Sequence, residues 1–386
     1  MTVRAPHRAG RRDDRQGNPG AVSGSEGVAL LPLRGPVQRI LVLRPRALGD
    51  VLLVTPALRA LKAGFPAAAL HVAVDDILAP VLRRNPHVDR LWLLPRQRPV
   101  RRRDWWSLAW QLALVRFDLV LDLHGSPRTA LLARLTGARN RVGYALRGRG
   151  RLYNLPVPRD SDRSGKRALQ YGARVNLDIV ARCGVAAATT DDASLVFVPD
   201  PAVEERLRRD LESTFPGRPR VGLAPAGTWQ AKTYPAAAWA EVADRLAAAG
   251  CHLVLLWGPG ERGTAEAVQR NMRVPAPLAP ATDLEELAAL LGHLDLLLST
   301  DSGVKHLAVA RGTPSLTVFG PTSPRAWMPP AGPHAWVRAR LPCLECNLTR
   351  CTHHLCMRLL APQAVAERAL ALLQVPFGVE LQPPPG

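Results

Sequence analysis

Ser299-Thr300-Asp301-Ser302-Gly303-Val304-Lys305-His306 lies between two apolar runs of different kinds. Before it, Leu294–Leu298 reads as a buried strand; after it, Leu307–Ala310 begins a helical run that stops at Arg311-Gly312-Thr313-Pro314. An acid, a hydroxyl and a glycine at such a crossing occupy the carboxyl end of a strand and the first turn of a helix. Free backbone N–H groups and the positive end of the helix dipole meet there, an arrangement that suits a phosphate. Open α/β sheets bind their ligands at that edge. The motif therefore predicts a nucleotide or nucleotide-sugar site.

The same alternation extends in both directions. Strand Arg39–Arg44 leads through Pro45–Asp50 into an apolar helix that reaches Leu61. Strand Leu70–Val74, a short helix over Ile77–Arg83, strand Arg90–Leu94, helix Trp105–Val115, strand Asp118–Leu123 and helix Arg128–Leu135 follow. From Arg147 to Ala193 the pattern is less regular, with a helix over Arg167–Cys183. The alternation restarts with helix Pro201–Leu211 and strand Arg220–Ala224. It continues through helix Pro235–Ala249, strand His252–Trp257 and helices Glu261–Asn271 and Leu284–Leu291, reaches the opening motif, and goes on to strand Leu316–Phe319 and a final helix over Pro362–Leu373. Strands alternating with helices imply parallel sheets covered on both faces. The expected architecture is α/β, with two doubly wound Rossmann-like domains facing each other across a central cleft, a preferred place for a ligand. The domains are expected at 37–195 and 196–386, with the final helix a candidate to pack back on the first. Residues 1–36, rich in Arg, Gly, Pro and Ser, read as a disordered basic tail.

A chain of 386 residues accommodates two such domains, and 47% hydrophobic residues is ordinary for a soluble globular protein. No apolar run approaches the ~20 residues of a membrane span, and Val28–Leu33 is too short for a signal-peptide core. A cytoplasmic protein is expected. The formal charge of +19 favours anionic partners, although four lysines against 47 arginines also fits biased codon usage.

Several segments, in order, resemble glycosyltransferase family 9, the heptosyltransferases that build the inner core of lipopolysaccharide. They are Ile40–Asp50 with Thr55–Leu58, Asp122–Gly125 with Gly143-Tyr144, Val221–Thr228, Lys232 with Tyr234-Pro235, Trp257–Glu261, Asp301–His306 and Phe319–Thr322. The resemblance covers roughly residues 37–375 and implies a GT-B fold, with acceptor in the first domain and nucleotide sugar in the second. It implies heptose transfer from ADP-heptose to a lipid-linked glycan, at the cytoplasmic face of the membrane, without a catalytic cofactor. A relative using another nucleotide sugar or acceptor is the alternative, since Gly227-Thr228 stands where the family can carry two hydroxyl residues.

By position alone Asp50 reads as a helix cap; the resemblance makes it the general base that takes the acceptor hydroxyl's proton. Lys232 reads either as a surface lysine or as a compact cation for a diphosphate leaving group. The matching spacing to Gly227, Thr228 and Pro235 favours the second, with Gly227 and Thr228 adding donors. In the family the opening motif lies against the donor, which puts Ser302 and Gly303 near the phosphates and Asp301 near the sugar hydroxyls, although Asp301 also suits a cap. His306 is open between a phosphate contact, a pair with Asp301 and a core residue; Lys305 reads as solvent-facing. Glu261 resembles the family's ribose-binding acid and equally suits a first helical turn.

Arg96–Trp106 interleaves cations with aromatic rings, and Arg139, Arg141, Arg147, Arg149 and Arg151 form a second basic cluster. Amphipathic rings beside cations suit an anionic membrane surface. Arg128, Arg139 and Arg141 are the candidate contacts to a charged acceptor. Cys343, Cys346, Cys351 and Cys356 form C-x2-C-x4-C-x4-C, a spacing that in a cytosolic chain points to a structural zinc rather than disulfides. With the pI near 11, it also raises a zinc-containing nucleic-acid-binding protein as a rival. Against that rival, the aromatics form no stacking platform and the motifs fall at strand-to-helix crossings, so no nucleic-acid partner is expected.

Overall fold

A computed structural model describes residues 30–94, 102–158, 170–189, 192–217 and 219–374. The first 29 residues of the expected tail, and residues 96–101 of the Arg/Trp run, lie outside these. The first half of the chain runs β1 (Arg39–Leu43), α1 (Leu48–Leu52), α2 (Thr55–Gly64), β2 (Ala69–Asp75), α3 (Pro80–Arg83) and β3 (Arg90–Leu94). It continues with α4 (Arg102–Leu114), β4 (Leu119–Asp122), α5 (Pro127–Leu135), β5 (Asn140–Tyr144), β6 (Leu155–Val157) and α6 (Gly172–Arg182). All six strands pair parallel, in the order β3-β2-β1-β4-β5-β6.

The second half contains α7 (Pro201–Thr214), β7 (Arg220–Ala224), α8 (Ala236–Ala248), β8 (His252–Leu255), α9 (Arg262–Asn271), α10 (Leu284–Gly292) and β9 (Leu296–Thr300). Then come α11 (Gly303–Ala310), β10 (Ser315–Val318), α12 (Pro324–Trp327), β11 (His334–Val337), α13 (Leu355–Arg358) and α14 (Pro362–Gln374). Its five strands, also parallel, are ordered β11-β10-β9-β7-β8.

The central strands are buried throughout because helices cover both faces: β4, β7, β9 and β10 have no exposed residue. On one face of the first sheet Leu41 and Leu43 pack against Leu108 and Leu112 of α4 and Ala130 and Ala133 of α5. On the other face Ile40 and Val42 join a cluster that runs on into the second domain, through Leu211, Ala224 and Leu297. The core is therefore continuous across the two sheets.

Three strands were not foreseen, and each owes its place to tertiary partners. The polar start of β5 is satisfied when Asn140 accepts from the Arg34 N–H at 2.8 Å and donates to the carbonyl oxygens of Arg34 and Asp118. β6, with Pro156 in its middle, and β11 are edge strands that a hydrophobic pattern barely marks. The single helix expected up to Leu61 is two helices, α1 and α2. The terminal helix does not return to the first domain: Val365, Ala366 and Ala369 pack with Trp239 and Val242 of α8.

Each sheet reverses direction once. From β1 the chain walks outward to β3 and then jumps to β4 on the other flank; from β7 it goes to β8 and then to β9. The gaps β1/β4 and β7/β9 are the two switch points, where the loops diverge and leave a crevice at the carboxyl ends of the strands.

Candidate functional site

Asp50 stands at the first switch point. It is in the first turn of α1, where its Oδ2 accepts from the Ala47 N–H at 3.2 Å. Its Oδ1 lies 2.5 Å from Arg44 Nη2, and Arg44 also donates to the carbonyl of Leu123, just past β4. One guanidinium thus ties the loop after β1 to the loop after β4. The Asp50 side chain keeps 30% of its surface in solvent. Beside it, Asp122 Oδ1 accepts from the N–H groups of His124 (3.0 Å) and Gly125 (2.8 Å), and its Oδ2 from the Tyr153 hydroxyl (2.7 Å). Burial and the nearby Arg44 lower the pKa of His124, so its imidazole stays neutral at physiological pH.

The second switch point carries a buried charge cluster. β9 ends at Thr300, two residues beyond the strand read from the sequence, so Asp301 follows it directly. Ser302, not Asp301, caps α11, and the Ser302 hydroxyl has no partner although its oxygen is buried. Asp301 Oδ2 accepts from Lys232 Nζ at 2.7 Å and from Thr322 Oγ1 at 2.6 Å, while Oδ1 pairs with Lys305. Burial alone would raise the pKa of this carboxyl, but the two ammonium groups hold it well below the usual range. Lys305 is completely buried rather than solvent-facing, one helical turn along from Asp301 and 4.7 Å from the Phe319 ring centroid. Desolvation brings its pKa down to about 8 against the opposing pull of Asp301. Lys232 is buried as well and lies 4.2 Å from the Trp229 ring centroid.

Both Asp301 oxygens are thus engaged, and the carboxylate joins the two lysines. Gly227 sits in a tight place: a Cβ there would lie 3.0 Å from Thr300 Oγ1, which donates to the Ala226 carbonyl at 2.8 Å. Thr228 is exposed beside it. Glu261, after β8, accepts from the Gly258 N–H at 3.0 Å and closes its own loop.

His306 joins the two halves. Its ring is buried and packs where Gly49 has no side chain; a Cβ on Gly49 would come within 2.6 Å of His306 Cδ2. Trp327 closes the other side, ring centroids 6.2 Å apart. Burial, then Lys305, pushes the pKa of His306 well below its ordinary value. Gly303 makes the matching close approach to Leu48. The residue before Asp50 and the helix that starts after Asp301 are therefore in direct contact, and Arg84 ties the domains further out, through Asp200 and Glu285.

Other expected residues fall elsewhere. Arg128 opens α5, exposed, on the carboxyl side of the first sheet. Arg139 and Arg141 sit at the opposite edge, at the start of β5, and are committed to structural bonds: Arg139 to Asp118, Arg141 to the carbonyls of Ala138 and Leu152. They do not face Asp50. Among the described residues no three Cys, His, Asp or Glu side chains are placed to hold a metal ion. The four thiols lie close to one another, since burial first and then Cys346, Cys343 and Cys351 raise the pKa of Cys356; Cys351 donates its N–H to the Gln230 side chain and its Sγ accepts from the His354 N–H, while Cys343 and Cys346 are exposed. Arg44, Lys305 and Thr322 were missed as site residues. The four-residue spacing from Asp301 to Lys305 was the one signal that could have found the buried pair.

Residues 105–356 match the family described as Glycosyltransferase family 9 (heptosyltransferase). The chain is 27% identical over 369 residues to lipopolysaccharide heptosyltransferase 1 of Pseudomonas aeruginosa, covering 88% of this chain and 99% of that protein. It is 28% identical to lipopolysaccharide heptosyltransferase 3 of Escherichia coli, covering 73% of this chain and 83% of that one. Among solved structures it resembles a family 9 glycosyl transferase from Veillonella parvula, with a TM-score of 0.77 at 21% identity over 87% of this chain and 97% of that one. The E. coli ADP-heptose heptosyltransferase II superposes with a TM-score of 0.72 at 22% identity, covering 87% and 98%.

Proposed function

The chain belongs to glycosyltransferase family 9, the heptosyltransferases, and from that premise we propose that it moves heptose from ADP-heptose to a lipopolysaccharide-core acceptor by a single inverting displacement. One observation carries the reading. Two switch points are brought together, one with a carboxylate that keeps contact with water, the other with a sealed pair of lysines. The named relatives act on lipopolysaccharide, and an E. coli family structure was determined with ADP, which supports the donor and acceptor classes.

In this mechanism the acceptor hydroxyl attacks the anomeric carbon while Asp50 takes its proton. Arg44 holds that carboxylate in position and leaves Oδ2, bonded only weakly to Ala47, to face the hydroxyl. The bond between the anomeric carbon and the diphosphate oxygen breaks, and charge develops on the departing ADP. Lys232, the Ser302 hydroxyl and the first N–H groups of α11 meet that charge, with Gly227 and Thr228 adding donors. Lys305 stays with Asp301, so that Lys232 can turn to the phosphate without leaving the buried carboxylate alone. Glu261 takes the ribose hydroxyls. No cofactor is needed, because the lysines and the helix terminus supply the positive field. Closure of the domains keeps water from the donor.

The acceptor is lipid-anchored in this reading, so we propose the cytoplasmic face of the membrane as the place of action. No helix among the described residues is long and apolar enough to cross a membrane. A calorimetric screen of ADP-, GDP-, UDP- and dTDP-sugars, followed by transfer assays with the donor that binds, tests the proposal. ADP-heptose should bind tightest and turn over. Preference for another nucleotide sugar would transfer the reading to the alternative donor, and binding of none would overturn it.

A further inference from the structure

Helix α4 turns two different faces outward and inward. Leu108, Ala109 and Leu112 are buried against the first sheet with Trp92 and Phe117. Trp106, Trp110 and Leu114, spaced four residues apart and hence in one stripe along the helix, are 55%, 68% and 63% exposed. Large apolar side chains that line up in solvent at helical spacing mark a contact surface rather than chance exposure.

What surrounds the stripe identifies the contact. Helix α5 packs beside α4 on the same face of the sheet and presents Arg128, Leu131 and Arg134 to solvent. Arg103 lies one turn before Trp106, and Arg116 just beyond the helix; both are exposed. The acid on α4 is Asp104, which sits 3.6 Å from Arg103 and is offset by it. Tryptophan suits the boundary between hydrocarbon and headgroup, since its ring is apolar and its N–H seeks water or phosphate. Arginines around it add attraction to anionic headgroups. A protein partner would need a complementary acidic and apolar face; a bilayer with anionic lipid already provides both.

We propose that the outward face of α4, with the arginines of α5 beside it, is the surface by which this enzyme lies on an anionic bilayer. It would enter with Trp106, Trp110 and Leu114 at headgroup depth. The proposal rests on the reading of a lipid-anchored acceptor. It adds the orientation: α5 begins directly after the β4 loop that Arg44 ties to Asp50, so the docked face lies beside the acceptor side of the cleft.

The test is sedimentation of the full chain with vesicles of phosphatidylcholine alone and of phosphatidylcholine with phosphatidylglycerol, combined with tryptophan emission. The native protein should sediment with the anionic vesicles and its emission should shift to the blue. The triple variant Trp106→Ser, Trp110→Ser, Leu114→Ser should lose at least tenfold in partitioning. Its melting temperature, and its transfer to a water-soluble acceptor fragment, should stay close to native, because these side chains are outside the core and the cleft. Arg134→Glu should narrow the preference for anionic over neutral vesicles. Equal vesicle binding by the triple variant and the native chain would overturn the assignment. So would a native dimer that the triple variant abolishes while vesicle binding persists, which would make the stripe a contact between proteins. Failure of the fragment to accept sugar, with vesicle binding intact, would count against the proposed acceptor and leave the docking surface standing.

Discussion

The two switch points share a topology and differ in their water. At the first, Asp50 has one arginine, one weak backbone bond and a partly solvated side chain. At the second, Asp301 is sealed and shared among Lys232, Lys305 and Thr322. A carboxylate that must exchange a proton with a substrate needs access and an uncommitted oxygen. A carboxylate pinned between two ammonium groups is held ionised and cannot take up a proton at any working pH, so its use is to fix positive charge in place. In the proposed mechanism similar crossings thus yield a proton acceptor on one side and an electrostatic anchor on the other, and neighbours decide which.

The sharpest way to break this contrast is to remove each acid in turn. Asp50→Ala should cut turnover by about 10²–10⁴-fold, the usual contribution of a general base, with donor affinity measured by calorimetry unchanged; near-native turnover would take Asp50 out of the chemistry. Asp301→Asn should instead lower the melting temperature, because it strands buried cations, at a cost of about 3–5 kcal/mol. It should also weaken donor binding. A stable Asp301→Asn protein defective only in turnover would mean that the two acids are alike after all.

Lys305→Met probes the anchor more gently. With one lysine gone, Lys232 remains committed to Asp301, so donor KM should rise severalfold while kcat changes less. In the native enzyme the same KM should climb as the pH passes about 8, where Lys305 loses its proton, and this limb should be missing in the variant. His306, between the two regions, tests their contact. Its folded pKa is depressed, so below pH ~6.5 the unfolded chain takes up a proton that the folded one cannot, and stability falls as the pH falls. His306→Gln should flatten the dependence of stability on pH below 6.5 by at most one proton, or about 1.4 kcal/mol per pH unit. An unchanged slope would show that the ring is already reached by water.

The alternation of strands and helices, and the loops that carry Asp50, Lys232 and Asp301, were legible because parallel strands buried on both faces are written as continuous apolar runs. β5 was not, because its polar residues become strand-compatible only when Arg34 and Asp118 are there to bond Asn140. The basic cluster misled for a related reason. Arg139 and Arg141 stand at the start of β5, whereas Arg147 and Arg149 follow its end, so the length of the strand lies between the two pairs.

By itself the sequence determined the α/β class, the two repeated halves and the residue types available at each crossing, since periodicity and residue chemistry are local properties. Tertiary structure alone decided that Lys305 is buried rather than solvated, that Arg44 holds Asp50, and that His306 fills the gap left by Gly49 between the domains. Those outcomes depend on desolvation and on partners up to hundreds of residues away, and both come into existence only when the two sheets close on each other.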